Sequence, residues 1–309
     1  MTFLSEPCTF FHPIVTMGTF DGVHLGHQAL LKKLRQRADE TGGEAVVITY
    51  LHHPLETIHR KTFPYLLTPQ KKKEALLKKW GADCVLYLNF TPQMAAMDAE
   101  DFFQNILIDE LHTRELVVGY DTHFGKNRSG NIDFLRRACI QHNLPLDILP
   151  PLEINNRIVS SSFIRDLIRE GAVNAVPQYL GRPYSLRGTV VDGHKIGRTL
   201  GFPTLNLSMQ APFSLIPDIG VYICEVEIQG HLHQALTNVG YSPTIKNTGI
   251  KEVETYILDF NTQVYGEEFE LYFYKKLREE LLFSSKDALI SQIHADVKAA
   301  EEFFCERQK

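Results

Sequence analysis

The chain has few of the residues that staple or anchor a protein. Its 309 residues include five cysteines, Cys8, Cys84, Cys139, Cys224 and Cys305, odd in number, widely spaced and without a CxxC pair. That argues against a disulfide framework or a zinc knuckle, and the expected compartment is reducing and cytoplasmic. No apolar run approaches the roughly 18 residues of a membrane span, and Met1 to Pro13 lacks the basic head and apolar stretch of a signal peptide. Positive charge is not in excess. The 32 Lys and Arg face 37 Asp and Glu, net −5, so neither nucleic acid nor an acidic membrane is the expected partner. Neither GxxxxGKS nor GxxxxGKT occurs, which excludes a P-loop.

What is present is ordinary for a globular protein: 44% hydrophobic and 22% charged residues, 20 Gly and 15 Pro. At about 150 residues per domain the length predicts about two domains. From Ile14 to Leu149, β-rich runs alternate with helical stretches, as in a parallel sheet covered by helices. Strands are expected at Pro13–Met17, Ala45–Tyr50, Cys84–Leu88, Glu115–Val118 and Asp147–Leu149. Helical spacing links Leu25, Ala29, Leu30 and Leu34, then Ala75, Leu76 and Trp80, then Phe102, Phe103, Ile106 and Leu107. A short helix is expected over Ser160–Glu170, stopped by Gly171.

From Tyr184 the period changes to two. Val-, Ile-, Tyr- and Thr-rich runs, among them Tyr222–Ile228, Leu232–Asn238, Glu252–Phe260 and Glu268–Phe273, predict a small antiparallel barrel. A last helix presents Leu289, Ile293, Val297, Ala300 and Phe304 on one face, capped through Ser284–Asp287. The expected boundary lies near residue 180, giving domains 1–180 and 181–309, α/β followed by β.

Two segments carry chemistry. Gly18, Thr19, Phe20, Asp21, Gly22, Val23, His24, Leu25, Gly26 and His27 lie between the first strand and first helix. Glycines there let the backbone approach a ligand, and the helix start offers unpaired N–H groups and a positive dipole end. His24 and His27 are one turn apart and can face the same anion. They could equally be zinc ligands or half-buried structural residues. Ser160, Ser161, Ser162 and Arg165 at a second helix start form another anion site, or an ordinary cap with a solvated Arg. Beyond residue 180, Gly193–Asn206 combines glycines, cations and a Pro-fixed turn. Thr204 and Asn206, two apart, point to one side of a strand. A phosphate loop followed by oxygen ligands for Mg²⁺ fits, and so does a plain barrel turn.

The first segment resembles the signature of the HxGH nucleotidyltransferases, specifically the adenylyltransferase half of prokaryotic bifunctional riboflavin kinase/FMN adenylyltransferases, also called FAD synthetases. His53-Pro54, Gly119–Gly125 and Val159–Arg165 fit at matching separations. The second resembles the GRxxGFPTxN signature of the riboflavin kinase module, complete as Gly197, Arg198, Thr199, Leu200, Gly201, Phe202, Pro203, Thr204, Leu205 and Asn206. Gly220–Tyr222, Asn238–Gly240 with Pro243-Thr244, Val253–Thr255, Leu258–Phe260 and Leu277–Glu280 follow in the family's order.

The resemblance implies a Rossmann-like domain followed by a barrel closed by a helix. It implies riboflavin phosphorylation to FMN, then adenylylation of FMN to FAD, with ATP, riboflavin and FMN as substrates and Mg²⁺ as cofactor. His24 and His27 would act on the ATP phosphates, with Gly18 to Asp21, Gly26, Ser160 to Ser162 and Arg165 around the nucleotide. Gly197, Arg198, Gly201, Pro203, Thr204 and Asn206 would bind the second ATP, Thr204 and Asn206 its metal, and Glu254 would be the general base. Asp121, Phe124 and Arg278 would border flavin. Thr122-His123 stand where the family usually has an aromatic and a basic residue, and Ser162 stands where it usually has Thr. Three alternatives remain: one efficient module, the kinase; a flavin-binding regulator without turnover; or a nucleotidyltransferase for another acceptor joined to a nucleic-acid-binding barrel.

Overall fold

The computed structural model describes residues 9–52, 65–191, 201–209, 211, 213–241, 251–260, 262 and 264–307. His53-Pro54, Gly197 and Arg198 of the second signature, and Pro243-Thr244 lie outside the described residues. The chain forms two compact units, Met1–Ser161 and Ser162–Lys309.

In the first unit β1 (Pro13–Met17), β2 (Glu44–Tyr50), β3 (Cys84–Leu88), β4 (Glu115–Gly119) and β5 (Leu146–Leu149) make a parallel sheet in the order β3-β2-β1-β4-β5. Each strand lies within one residue of its sequence-based limits. Alternate side chains serve two cores. Val15, Val46, Ile48, Leu116 and Val118 pack with Phe102 and Phe103, while Ile14, Ala45, Val47 and Val117 pack with Leu30, Leu31 and Leu34 of α1 (Leu25–Thr41). Burial on both faces explains why these strands read as nearly continuous apolar runs.

The helices depart more from the pattern. α2 (Gln70–Lys79) buries Leu77 and Lys73, with Leu76 and Trp80 only partly covered. The helix expected around Phe102 runs over Ala99–Phe102 and continues as a π-helix, Phe103–Glu110. α3 (Ile132–Gln141) was not expected from the sequence. It is capped by the Asn131 side chain, which accepts from Phe134 N at 3.0 Å.

In the second unit α4, whose span Ser161–Arg169 starts at the last residue of the first unit, precedes a helical turn, Pro177–Leu180. The backbone N–H of Asp218 donates to Ile168 O at 3.3 Å, joining α4 to the barrel's connections. Strands β8 (Tyr184–Val191), β9 (Thr204–Met209), β10 (Gly220–Ile228), β11 (His231–Tyr241), β12 (Lys251–Ile257) and β13 (Glu268–Arg278) close an antiparallel barrel in the order β10-β11-β12-β9-β8-β13. The short hairpin β6 (Glu153–Ile154) and β7 (Arg157–Ile158) belongs to the first unit.

Alternation sorts the barrel strands: Tyr222, Cys224, Thr237, Val239, Val253 and Thr255 are buried, and the Thr237 and Thr255 hydroxyls pair at 3.0 Å. Val221, Ile223 and Leu236, of opposite parity, pack with Ala300 and Phe304 of α5 (Lys286–Arg307). The last helix thus closes the barrel from its outer wall. Ser285 Oγ caps it, accepting from Ala288 N at 3.2 Å.

Candidate active sites

The order β3-β2-β1-β4-β5 reverses direction between β1 and β4, and ligands of open α/β sheets sit outside the strand ends at such a switch. The loop carrying His24 leaves β1 there, and the loop carrying Asp121 leaves β4. The first is strained. Phe20 and Val23 hold φ of 49° and 43°, and Gly22 holds 86°. A β-branched residue at positive φ costs on the order of 1–3 kcal/mol and persists only where its surroundings fix it. They do so here. Gly18 N donates to Ile48 O at 3.1 Å and Gln28 Nε2 to Val23 O at 2.9 Å. The Asp21 carboxylate, 3% exposed, accepts from Leu67 N and Thr68 N at 3.1 Å. Asp21 therefore pins the entry of α2 from inside the fold.

His24 is the N-cap of α1, its Nδ1 accepting from His27 N at 3.3 Å. In the neutral ring that leaves the proton on Nε2. The two imidazoles stack, centroids 3.6 Å apart and 16° from parallel, and Phe20 meets His27 edge-on at 5.1 Å. A Cβ on Gly26 would lie 3.2 Å from the His24 ring. Gly26 leaves room for the stack, and Gly22 supplies the turn. Burial, then the neighbouring His24 and Lys73 charges, push His27 well below its usual value. Its Nδ1 is buried without a hydrogen-bond partner among the described residues. Ser161 Oγ, within the first unit, donates to Asp21 O at 2.8 Å. Ser160 is half-buried, Ser162 is exposed, and Arg165, one turn further along α4, is buried.

Sequence reasoning missed Lys73. Only 9% exposed, its amine donates to Thr19 O, Thr49 Oγ1 and Tyr50 O at 3.4, 3.1 and 3.2 Å. The signal was a lysine four residues before Leu77 on the same helix face, hidden in a run of three lysines.

Of the expected flavin contacts here, Asp121 is exposed at the mouth of the β4 loop. Phe124 is 4% exposed, its ring in the core against Phe102 and Phe134. Between them His123 Nδ1 lies 2.7 Å from Asp121 O and 3.1 Å from Arg128 Nη2. One ring nitrogen serves either as donor to that carbonyl or as acceptor from the guanidinium.

In the barrel, Glu254 of β12 is the Cα partner of Asn206 on β9 and of Asn238 on β11, and Thr204 is the partner of Tyr256. Direct partners in antiparallel strands share a face, so Thr204, Asn206, Asn238, Glu254 and Tyr256 line one side. Parity with Leu236 makes it the outer side, where α5 packs. Phe202 anchors the approach to β9, its ring 5.4 Å from Tyr256 and 5.1 Å from His294 of α5. Gly201 holds φ of 88° and Pro203 follows the anchor on the surface. Asn238 Nδ2 donates to Glu280 Oε1 at 3.3 Å.

Arg278 is gripped by the buried Asp296 of α5, Nε at 3.0 Å from both carboxylate oxygens and Nη2 at 2.7 Å from one. Its remaining arm, Nη1, donates to Glu279 O at 3.0 Å. Among the described residues no group of three His, Cys, Asp or Glu could hold a metal ion. The oxygen-bearing pair Thr204 and Asn206 suits Mg²⁺ shared with phosphates and waters, the way that ion is commonly bound.

The FAD synthetase family model matches residues 11–163 and the riboflavin kinase model residues 180–304. A bifunctional riboflavin kinase/FMN adenylyltransferase of Listeria monocytogenes is 35% identical over 302 residues, 97% of this chain and 95% of the relative. Its counterpart in Pseudomonas fluorescens is 36% identical, covering 93% and 91%. The Escherichia coli K12 protein of that name is 32% identical, covering 94% and 92%. A crystal structure from Streptococcus pneumoniae, described as a macrolide-efflux protein, matches with a TM-score of 0.85 at 30% identity over 96% of this chain and 95% of its own. No helix among the described residues is long and apolar enough to cross a membrane. With both modules matched in tandem and relatives aligned almost end to end, the chain belongs to the bifunctional riboflavin kinase/FMN adenylyltransferase family.

Proposed function

We propose that residues 181–309 phosphorylate riboflavin to FMN and residues 1–180 adenylylate FMN to FAD, in a cytoplasmic enzyme whose partners are small molecules. The observation that carries the reading is the placement of two separate nucleotide motifs: the His24–His27 stack at the switch of a parallel sheet, and the Thr204–Asn206 edge beside Glu254 on a barrel wall.

In the kinase reaction Glu254 accepts the proton of the riboflavin 5′-hydroxyl as its oxygen bonds to the γ-phosphorus of ATP and ADP leaves. Thr204 and Asn206 would hold Mg²⁺, which would neutralise phosphate charge. Gly197, Arg198, Gly201 and Pro203 bind the ATP of this reaction, and Arg278 borders the flavin from the end of β13. A positioned base contributes about 10² to 10⁴ in rate.

In the adenylyl transfer an FMN phosphate oxygen attacks the α-phosphorus of ATP and pyrophosphate leaves. His24 and His27, with the α1 N-terminus, stabilise the charge that builds on the phosphate oxygens. Gly18, Thr19, Phe20 and Gly26 shape the nucleotide loop, and Asp21 holds it in place. Ser160 and Ser161 extend the phosphate site within the first unit. Asp121 contacts the flavin, and Phe124 sets the β4 loop that bears it.

Chromatography of the full chain with riboflavin, ATP and Mg²⁺ tests the assignment. His27→Ala is expected to accumulate FMN without FAD, and Glu254→Gln to fail on riboflavin yet convert supplied FMN. Equal loss of both steps in each variant would overturn the two-site reading, and absence of FMN from the unaltered protein would overturn the kinase assignment.

A further inference from the structure

We infer that Lys73 is a positioning residue for adenylyl transfer, its buried ammonium tying the Thr19 carbonyl to the end of β2 so that the loop before His24 keeps its phosphate-receiving shape. This rests on the reading of the first unit as the adenylyltransferase. Three neutral acceptors from two chain segments converge on one amine: Thr19 O in the loop, Thr49 Oγ1 and Tyr50 O at the end of β2. Thr49 Oγ1 itself donates to Thr19 O at 3.2 Å, so lysine and hydroxyl share the same anchor point. The next residue, Phe20, has positive φ, and Val23 follows three positions on. Asp21 meanwhile holds Leu67 and Thr68, just ahead of the helix that carries Lys73. Loop and helix are thus clasped at two places, and the strained turn is fixed between them.

Packing alone does not account for a lysine here. A methionine would fill similar space without the cost of withdrawing an ammonium from water. The groups that face the amine are Asp21 of the loop, His27 in the first turn of α1, the Tyr50 end of β2, and the Tyr87 ring of β3, whose centroid is 5.9 Å away. Burial lowers the lysine to about 8, against the opposing pull of Asp21. The protonated form therefore dominates at neutral pH, with its charge beneath the loop where the triphosphate binds.

The test measures FMN-to-FAD conversion by the full chain over pH 6.5 to 9.5, as kcat and KM for ATP, with thermal unfolding alongside. For the unaltered protein kcat/KM is expected to decline above pH 8 as Lys73 loses its proton. Lys73→Met should lower kcat by about 10²-fold, the scale of losing one preorganised donor, abolish that alkaline decline, and leave the thermal midpoint unchanged or higher. Lys73→Arg, which keeps the charge, should recover part of kcat. A flat profile to pH 9.5 in the unaltered protein would overturn the inference without any variant. So would Lys73→Met with kcat within twofold of normal, or with a fall in midpoint parallel to the fall in activity. If the unaltered protein makes no FAD, it is the adenylyltransferase reading that fails.

Discussion

Glu254 and Asn206 face each other directly across β12 and β9, although 48 residues separate them in sequence. The antiparallel register therefore brings the proposed base and one proposed metal ligand onto one wall, with Asn238 on the other flank of Glu254. In the proposed kinase site this pairing would set the distance between the riboflavin hydroxyl and the phosphate it attacks.

That distance makes Glu254→Asp informative. The shorter side chain keeps the carboxylate but withdraws it by about 1 Å, and misplacement on that scale costs about 10² in rate. Riboflavin phosphorylation should fall by this factor in kcat, with FMN adenylylation unchanged, as followed by separate assays of the two steps.

Gly26→Ala should act on the other reaction. Its Cβ would press on the His24 ring at 3.2 Å, and that ring has His27 stacked 3.6 Å away. FAD formation is expected to drop at least tenfold while FMN formation persists, because alanine is otherwise a better helix residue than glycine. The ratio of the two products reads the outcome.

Asp296→Ala should loosen α5 from the barrel. It strands the largely covered Arg278 guanidinium, and breaking a buried pair on one side costs about 3 kcal/mol or more. Urea denaturation should show that loss, and Arg278→Met combined with Asp296→Leu should recover most of it. If Arg278 also borders the flavin, the riboflavin KM stays raised in the stable double variant. A normal KM there would remove Arg278 from the flavin site.

The half-buried His27 makes stability depend on pH. Its folded value lies well below the 6.5 of an unfolded histidine, so between the two the unfolded chain binds more protons. Its contribution is therefore intact above pH 6.5 and is lost as the pH falls from there toward the folded value. Urea midpoints at pH 7.5 and 5.5 should fall further for the unaltered protein than for His27→Gln.

The sequence alone determined the architecture, because hydrophobic period is a local property. Alternating runs marked β1 to β5 within one residue, and the change to period two at Tyr184 marked the barrel. Capping chemistry is local too: Ser285 was legible, and Asn131 before Ile132, Leu135 and Cys139 at helical spacing carried a signal that could have found α3. The two nucleotide motifs were legible because each is a continuous stretch.

Only tertiary structure decided which of those residues stay exposed and which turn into the fold. Asp21 turns inward because two backbone N–H groups before α2 take its carboxylate, and Phe124 joins the core because Phe102 and Phe134 close around it. Lys73 is one of three consecutive lysines, and its position on the helix face turned toward β2 buries it under the His24 loop. Arg278 met Asp296 and Glu254 met Asn206 through strand register and helix packing. Those are contacts between distant segments, set by the minimum of the whole fold, and no local pattern encodes them.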